Sequence, residues 1–466
     1  MPSVASSVPI PTVNILVPVG ALGLGVKESD VFARLPDAHA IACDAGSTDS
    51  GPAYLATGVA KYSRDSIKHD LSILMRAQAK AGIPLLIGSC GTSGGDLALE
   101  WTRDIALEIA REHGLTPRIA VIYSEQTAEG MIAKMGEGKI TTLAPMEEVS
   151  AEQFSVCDHI VALMGPEPYI AALAAGADIV LGGRSTDSGV LAAVPLMRGA
   201  GAAQAWHAGK IAECGSLCTT HPREGGVLIR VGQDDFTVEP LGMNNQCTIE
   251  TIAAHMLYEN SDPFLLHEPG CILDVTEAVY EAVDDRIVRV SGSKLIPQPY
   301  TMKLEGARGC GYQTMMLVGI QEREVLAELD RFMVQMHEVL TKRVHDNMGS
   351  RAGDFDISLR AYGWNAVCGR QLDPGTPPPR EVGLMFVATA ATQEIATQIA
   401  KTCNPWLFHL PLNACQELPS YAFPFSPAEV ERGRVYEFKL NHVVHVDGPM
   451  ELVRTVWIDT KENVHA

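Results

Sequence analysis

The sequence lacks the features of a membrane protein or a nucleic-acid-binding protein. No apolar run is long enough to cross a bilayer, because the longest candidate, residues 179–197, is interrupted by Arg184 and Asp187. Positive charge is also scarce: 36 Lys and Arg against 56 Asp and Glu give a formal net charge of −20. Since nucleic acids and anionic membranes are bound mainly through cationic side chains, we expect neither as a partner.

Cysteine pairs and export signals are absent as well. The 11 cysteines form no CxxC pair and no Cys/His ligand spacing, and Cys214 and Cys218 have no second pair to accompany them. We therefore expect reduced core thiols rather than a zinc or iron–sulfur site. The first residues, MPSVASSVPIPT, have neither the basic start nor the apolar stretch of a secretory signal. Together these absences predict a cytoplasmic protein.

The chain of 466 residues is too long for one hydrophobic core, and its pattern predicts an α/β protein of three domains. In residues 1–225, short apolar runs alternate with amphipathic helices, which is typical of βαβ units and a mainly parallel layered sheet. Predicted strands here are 13–19, 40–43, 85–88, 119–123, 160–164 and 179–181. Ser63 is a predicted N-cap of a helix that ends near Ala81, before Gly82.

The later segments are predicted to differ from the first. Residues 226–379 show β-rich alternation and one long helix from 322 to about 344, which favours an α+β domain. The run LDPGTPPPRE, residues 372–381, cannot hold regular hydrogen bonds and is interpreted as a linker or domain boundary. Residues 380–466 then predict a small α/β sandwich, with strands 382–388, 406–410, 436–445 and 452–457 and a helix at 392–403.

A repeated pentapeptide is the strongest indication of a functional site. Ser-Thr-Asp-Ser-Gly occurs at residues 47–51 and 185–189, and each copy follows a short apolar run typical of a buried strand. Ligands of open α/β sheets bind beyond the carboxyl ends of the strands, so the two loops are expected to face one cavity. They supply the candidate site residues Ser47, Thr48, Asp49, Ser185, Thr186 and Asp187. The same residue types are also ordinary turn and N-cap residues, which remains the alternative.

A second loop, residues 89–96, joins a predicted strand to a predicted helix and is rich in glycine and hydroxyl groups. Amides at such a helix start favour an anion, so Ser89, Cys90, Gly91 and Thr92 are candidates for binding a carboxylate or phosphate. The loop has no Walker lysine, which argues against ATP. Cys90 is alternatively a nucleophile or a buried bystander.

Arg184 stands at a strand end, where its guanidinium could pair with a substrate carboxylate. Asp49 and Asp187 are then the candidate acid and base, with His255 the alternative base. Two alternatives stay open: a divalent ion held by Asp44, Asp49 and Asp187, or a purely structural Arg–Asp pair. The remaining candidates for substrate binding are Arg64, Glu213 and Lys303.

Four segments carry a resemblance to a known family: GADIVLGGRSTDSG, GKIAECGSLCTTHP, HMLYENSDPF and PYTMKLEGARGCGY. Together they resemble the acyclic terpene utilisation AtuA family over nearly the whole chain. The part from about Arg380 to Val443 is similar to the small ferredoxin-like partner domain of that family, here fused. The family is named from a pathway that degrades citronellol and geraniol through CoA thioesters. The resemblance transfers no catalytic residue, and Cys90 departs from the Asn-Ala-Gly-Gly type of loop in many relatives.

The sequence thus predicts an enzyme of carboxylic-acid or acyl-CoA catabolism, a hydro-lyase or isomerase that abstracts a proton beside a carbonyl. One alternative is a hydrolase or acyl transferase that uses Cys90 or a loop serine. The other is a non-catalytic subunit that binds an acyl-CoA or serves as a scaffold. No cofactor is predicted, although a divalent metal is compatible with the carboxylates. The expected partners are a small carboxylate or acyl-CoA and further copies of the chain in a homo-oligomer.

Overall fold

The computed structural model describes residues 12–48, 50–370, 372–373, 375–414 and 417–460, and it confirms the α/β class. The strands are β1 Val13–Val17, β2 Ala40–Cys43, β3 Leu85–Ile87, β4 Arg118–Tyr123, β5 Ile140–Thr142, β6 His159–Ala162, β7 Ile179–Gly182, β8 Val227–Val231, β9 Asp235–Pro240, β10 Leu265–Glu268, β11 Cys271–Asp274, β12 Val279–Ala282, β13 Val288–Ser291, β14 Lys294–Pro297, β15 Thr301–Ile320, β16 Phe355–Tyr362, β17 Val382–Ala390, β18 Val430–His445 and β19 Arg454–Asp459.

The helices are α1 Glu28–Arg34, α2 Ala53–Thr57, α3 Arg64–Ala81, α4 Asp96–His113, α5 Ala128–Gly136, α6 Ala151–Ser155, α7 Glu167–Ala174, α8 Asp187–Met197, α9 Ala202–Ala212, α10 Ile249–His255, α11 Arg323–Ala327, α12 Leu329–Met348 and α13 Gln393–His409. The predicted cap of α3 is confirmed, since the Ser63 side chain accepts a hydrogen bond from the amide of Ser66. None of the described helices is both long and apolar enough to cross a bilayer.

The chain divides into two compact units. One holds the described residues up to Arg308 and again from Phe438, and the other is Gly309–Glu437. In the first unit a large sheet has the order β12-β13-β9-β8-β1-β2-β3-β7-β4-β19. Its middle, from β1 to β4, is parallel, whereas β8, β9, β12, β13 and β19 join antiparallel.

Both faces of this sheet are buried. Alternate side chains of its parallel strands pack into two separate hydrophobic cores, one on each face. Ile15 and Val17 of β1 pack into one core, and Leu16 between them packs into the other. The same alternation holds in β3, where Leu86 lies on one side and its two neighbours on the other. Strands buried on both faces are continuous apolar runs, which is why the sequence predicted them well.

Two predictions for the first unit do not match the structure. Strand β6 was expected in the parallel sheet, but it pairs antiparallel with β15, with Leu304 opposite Ala162. The boundary expected near residue 225 falls inside one unit, because β8 follows at once and pairs with β1 along its whole length. Apolar alternation identifies a strand but not the strand that it pairs with.

In the second unit, β17 lies between β16 and β15, and all three pair antiparallel. Helices α12 and α13 pack against each other and, with this sheet, enclose one core. The proline-rich run therefore connects two adjacent strands rather than two domains. A predicted strand at 406–410 is wrong, since these residues form the last turn of α13 and its cap. Residues 380–466 do not form a unit of their own, and their ferredoxin-like character stays a prediction.

Candidate functional site

The carboxyl ends of the parallel strands bring the two pentapeptides to one edge of the sheet. The first copy follows β2 and the second follows β7, and only β3 separates those two strands. The glycine-rich loop after β3 therefore lies between the two copies. Backbone hydrogen bonds join this loop to both sides: Ser47 N of the first copy donates to Thr92 O at 3.1 Å, and Ser89 N donates to Gly183 O, just before the second copy, at 3.1 Å.

Two adjoining cavities open at this edge. The first cavity has a volume of about 550 Å³ and is lined by the loops after β1 and β2 and by residues 213–217. The second cavity, of about 1030 Å³, is lined by the start of α8, by β10 with its flanking residues and by Lys303. The two share Thr48, Arg184, Asp187, Glu213 and Glu259. A ligand in either cavity would therefore meet the same charged groups.

Arg184 is buried at the junction of the two cavities. Its Nε donates to Glu305 Oε2 at 3.0 Å, and its Nη1 donates to Ser89 Oγ at 3.3 Å and to Asp187 Oδ1 at 3.5 Å. Burial alone would lower the pKa of Arg184, but Glu305 and Asp187 outweigh burial and raise it. The guanidinium is thus a permanent charge, held in place from three sides.

Gly46 explains how the first pentapeptide approaches this guanidinium. A Cβ atom at Gly46 would lie 2.7 Å from Arg184 Nη1, 2.9 Å from Ser89 Oγ and 3.0 Å from Asp44 Oδ1. Real Cβ contacts are longer than this, so only glycine lets the backbone pass so near to the guanidinium.

The carboxyl groups around the cavities have unequal environments. Burial raises the pKa of Asp44 well above its usual range, and Asp187 and Glu213 add to the rise. Burial likewise raises the pKa of Glu268 to about 7, although Ser188 Oγ donates to its Oε1 at 2.5 Å. Glu305 is the opposite case: burial would raise its pKa, but Arg184 and Lys303 lower it to about 2. At neutral pH Glu305 is therefore ionised, while Glu268 is poised to gain or lose a proton.

A second buried cluster lies where α9 ends. Lys210 Nζ donates to Glu213 Oε1 at 2.5 Å, and both residues are buried. Burial raises the pKa of Glu213, and Lys210 opposes part of that rise. Cys214 and His255 lie beside Glu213, with one ligand atom of each residue within 4.8 Å of the others. Burial and the nearby Lys210 lower the pKa of His255 to about 4.

Several residues chosen from the sequence do reach the cavities. Ser47 lines the first cavity, and Thr186 and Lys303 line the second. Lys303 Nζ contacts Glu305 Oε1 at 2.9 Å, so Glu305 links it to Arg184. Other predicted residues lie beneath the site, since they are buried and line neither cavity. They are Ser89, Gly91, Thr92 and Ser185. The hydroxyl of Ser185, for example, is engaged in a hydrogen bond of 2.7 Å with the hydroxyl of Tyr169.

The structure contradicts two predictions. Cys90 is fully buried, and burial raises the pKa of its thiol to about 12, so it is neither a cavity residue nor an available thiolate. Arg64 lies on α3, where it pairs with Glu108 of α4, and it lines neither cavity. A pattern of residue types at a helix start does not tell which side of the loop faces the protein interior.

Asp49 lies outside the described residues, so its role and its share in an oxygen-ligated metal site stay predictions. His255 is buried and lines neither cavity, and with a pKa of about 4 its neutral ring is a weak base.

Sequence reasoning missed Glu268 and Lys210. Glu268 ends the short strand β10, and its contact with Ser188 joins residues 80 positions apart, which leaves no local signal. Lys210 did have a signal: it lies three residues before Glu213 on a helix, a spacing that places two side chains on one face.

Comparison with known proteins gives one match. No curated protein sequence and no solved structure matches the chain. A family model described as "Acyclic terpene utilisation family protein AtuA" matches residues 55–228 and 230–430, which is most of the chain and confirms the resemblance seen in the motifs. The match ends at residue 430 and leaves the resemblance of the last part to a ferredoxin-like domain untested. The chain belongs to the acyclic terpene utilisation AtuA family.

Proposed function

We propose that this protein is an enzyme of carboxylic-acid or acyl-CoA catabolism that removes a proton beside a carbonyl group, as a hydro-lyase or an isomerase. The family description, utilisation of acyclic terpenes, supports a catabolic role. One observation carries the reaction type: a buried guanidinium, Arg184, stands where two cavities meet and is flanked by carboxyl groups of very different acidity.

Arg184 and the start of α8 are suited to hold a carboxylate or a thioester oxygen. The guanidinium lines both cavities, and its Nη2 makes no hydrogen bond to any of the described residues. Helix α8 begins without a side-chain cap, and its first residues, Asp187 and Ser188, line the second cavity. Uncapped amides and the helix dipole favour negative charge at this position. Lys303 and Arg184 share Glu305, so these three groups carry one net positive charge.

Glu268 is the group best matched to proton transfer. A general base works best when its pKa lies near the operating pH, and the pKa of Glu268 is about 7. Its carboxyl lines the second cavity and is oriented by Ser188. In the proposed step, Glu268 takes the proton from the carbon beside the carbonyl, and Arg184 with the α8 amides stabilises the charge that develops on the carbonyl oxygen. The protonated Glu268 then returns this proton, either to another carbon of the product or to the departing hydroxyl group, and Asp187, at the cavity junction, is the candidate to relay it.

The test is proton exchange with deuterated solvent. Hydroxy acids, unsaturated carboxylates and acyl-CoA thioesters are first screened by thermal shift, because a ligand of the native state must stabilise it. Each hit is then incubated with the protein in D2O, and its mass is followed. Wild-type protein is expected to incorporate deuterium beside the carbonyl. Glu268→Gln is expected to bind the hit without exchanging it.

Arg184→Lys tests the clamp, since lysine keeps the charge but loses the planar fork. We expect its affinity for the hit to fall at least about tenfold, which corresponds to about 1.4 kcal/mol. Arg64→Lys is the matched control and should bind like wild type, because Arg64 pairs with Glu108 away from both cavities. Unchanged affinity in Arg184→Lys would exclude the clamp. Binding without exchange in wild type would favour the non-catalytic alternative, and a covalent adduct would favour acyl transfer.

A further inference from the structure

We propose that Glu213, Cys214 and His255 form a binding site for a zinc-class divalent ion at the wall of the first cavity. The site goes beyond the proposed function, because its ligands are distinct from the groups that hold and deprotonate the substrate. The three residues offer one carboxylate oxygen, one thiol sulfur and one imidazole nitrogen, all within 4.8 Å of one another. Ligand atoms around tetrahedral zinc lie about 3.3 to 3.8 Å apart, as its bond lengths of about 2.0 to 2.3 Å imply. Small side-chain rotations would therefore close the site.

The fold places these ligands through two interlocked turns. Glu213 caps the end of α9, and Cys214 follows it directly. Gly215 has a φ of +62°, and a Cβ atom there would lie 2.9 Å from Gly20 N, so the turn packs tightly against the loop after β1. His255 is the last residue of α10, and α10 packs on the short 3-10 turn Gly215–Cys218. The ligands therefore come from two helix ends that are fixed to each other.

An independent observation is a polar atom that the fold leaves without a partner. His255 is only 6% exposed, and its Nε2 is buried without a hydrogen bond to any residue that the structure describes. An unpartnered buried nitrogen costs free energy, and in native proteins it calls for an explanation such as an ion. Asp44 Oδ1, on the wall of the same cavity, is likewise buried and has no hydrogen-bond partner among the described residues. Both orphaned atoms are consistent with a bound species in this region.

The chemistry of the donors favours zinc over magnesium or calcium. Thiolate and imidazole are ligands of Zn²⁺ and its neighbours, whereas Mg²⁺ and Ca²⁺ prefer oxygen alone. Three protein ligands with one open position are typical of catalytic zinc. Glu213 and Cys214 line the first cavity, so an open position could be reached from it. Lys210 Nζ donates a hydrogen bond to Glu213 Oε1. Carboxylate ligands in metal sites are commonly oriented by such a neighbouring donor.

Direct metal binding tests this site without any substrate. The full chain is stripped with EDTA under reducing conditions, and its affinity for Zn²⁺ is measured by competition with a chromophoric chelator. We expect one Zn²⁺ per chain. The metal-free protein loaded with Co²⁺ instead should show a sulfur-to-cobalt charge-transfer band in the near ultraviolet. Cys214→Ser should remove that band and weaken Zn²⁺ binding at least about tenfold. Cys218→Ser is the matched control, because Cys218 is a buried thiol of the adjoining 3-10 turn that is not among the three ligands, and it donates to Gly215 O at 3.5 Å.

The outcomes separate the metal site from the substrate site. The proposal would be overturned if the folded, metal-free protein did not bind Zn²⁺ stoichiometrically, or if the two cysteine variants lost equal amounts of Zn²⁺ affinity. Tighter binding of Mg²⁺ than Zn²⁺ would do the same. If Cys214→Ser fails to fold, His255→Asn serves instead. Thermal shift of the wild type is measured beside it, and Zn²⁺ must raise the melting temperature progressively once its free concentration exceeds Kd. Loss of ligand binding in Arg184→Lys with Zn²⁺ binding intact would show that the two sites fail independently.

Discussion

Replacing Glu268 with glutamine is expected to remove a pH dependence from the stability of the protein. In the folded state the pKa of Glu268 is about 7, against an ordinary value of 4.5, because burial penalises the charged carboxylate. The folded protein therefore holds a proton on this group that the unfolded chain has already lost between pH 4.5 and about 7. Stability from this group is fully present below pH 4.5 and is lost as pH rises through about 7.

The size of the effect follows from the two pKa values. Each pKa unit corresponds to about 1.4 kcal/mol, so the full rise corresponds to about 3 kcal/mol. Glu268 is partly exposed, and solvent will reduce that figure, so we expect about 1 to 3 kcal/mol. Glutamine keeps the shape and can still bond to Ser188, but it never ionises. Above pH 7.5 the variant should be more stable than wild type by this amount, and near pH 4.5 the two should be equal.

The measurement is urea unfolding of wild type and Glu268→Gln at half-unit steps from pH 4.5 to 8.5. Glu338→Gln is the control, because Glu338 is exposed on α12, and its substitution should leave the pH profile unchanged. The difference between wild type and Glu268→Gln should grow with pH and level off near pH 7.5. A difference that is constant with pH, or one that shrinks as pH rises, would refute the burial argument and remove Glu268 as the matched base.

The remaining predictions concern Gly46 and Cys90, which belong to the loops after β2 and β3. Gly46→Ala should displace the guanidinium of Arg184 and weaken ligand binding as Arg184→Lys does, at a stability cost of about 1 to 3 kcal/mol from overpacking. The control is Gly136→Ala, at a helical glycine with open space around it. Equal ligand affinities in the two variants would contradict the close approach of the Gly46 backbone to Arg184. Cys90→Ala should retain turnover in the folded protein, and loss of more than about a hundredfold in kcat would restore the nucleophile hypothesis.

The fold could be predicted where local pattern alone decides it. The strands of the parallel sheet were found within one or two residues because both of their faces are buried, and α3 was found through its cap at Ser63 and its end before Gly82. Pairing was less predictable. Strand β15 runs without a break through Thr301–Ile320, and its partner β6 lies more than 140 residues earlier. The helix α13 was predicted too short, since it continues through Pro405 to His409.

The site was predictable to the extent that topology fixes it. A motif placed directly after a strand must lie at the carboxyl edge of a parallel sheet, so Arg184 and Asp187 could be located from sequence. Burial could not be read in the same way. Cys90 and Ser47 belong to similar polar loops, yet Cys90 faces the core and Ser47 faces the first cavity. Glu268 was missed because the feature that marks it, a raised pKa, arises from neighbours that fold in from elsewhere in the chain.

The charges around the two cavities couple anion binding to proton transfer in the proposed reaction. A buried ion pair such as Arg184–Glu305 is weak evidence for stability, because desolvation costs much of what attraction supplies. Its position at the cavity junction is better explained by a ligand that uses the charge. An anion bound to Arg184 in the second cavity would share that cavity with Glu268, and negative charge raises the pKa of a neighbouring carboxyl. Pairing of the bound anion with Arg184 would limit that rise, so that Glu268 keeps a pKa near neutral and can still accept the substrate proton. Carboxylate recognition and base strength would then be two effects of one electrostatic field.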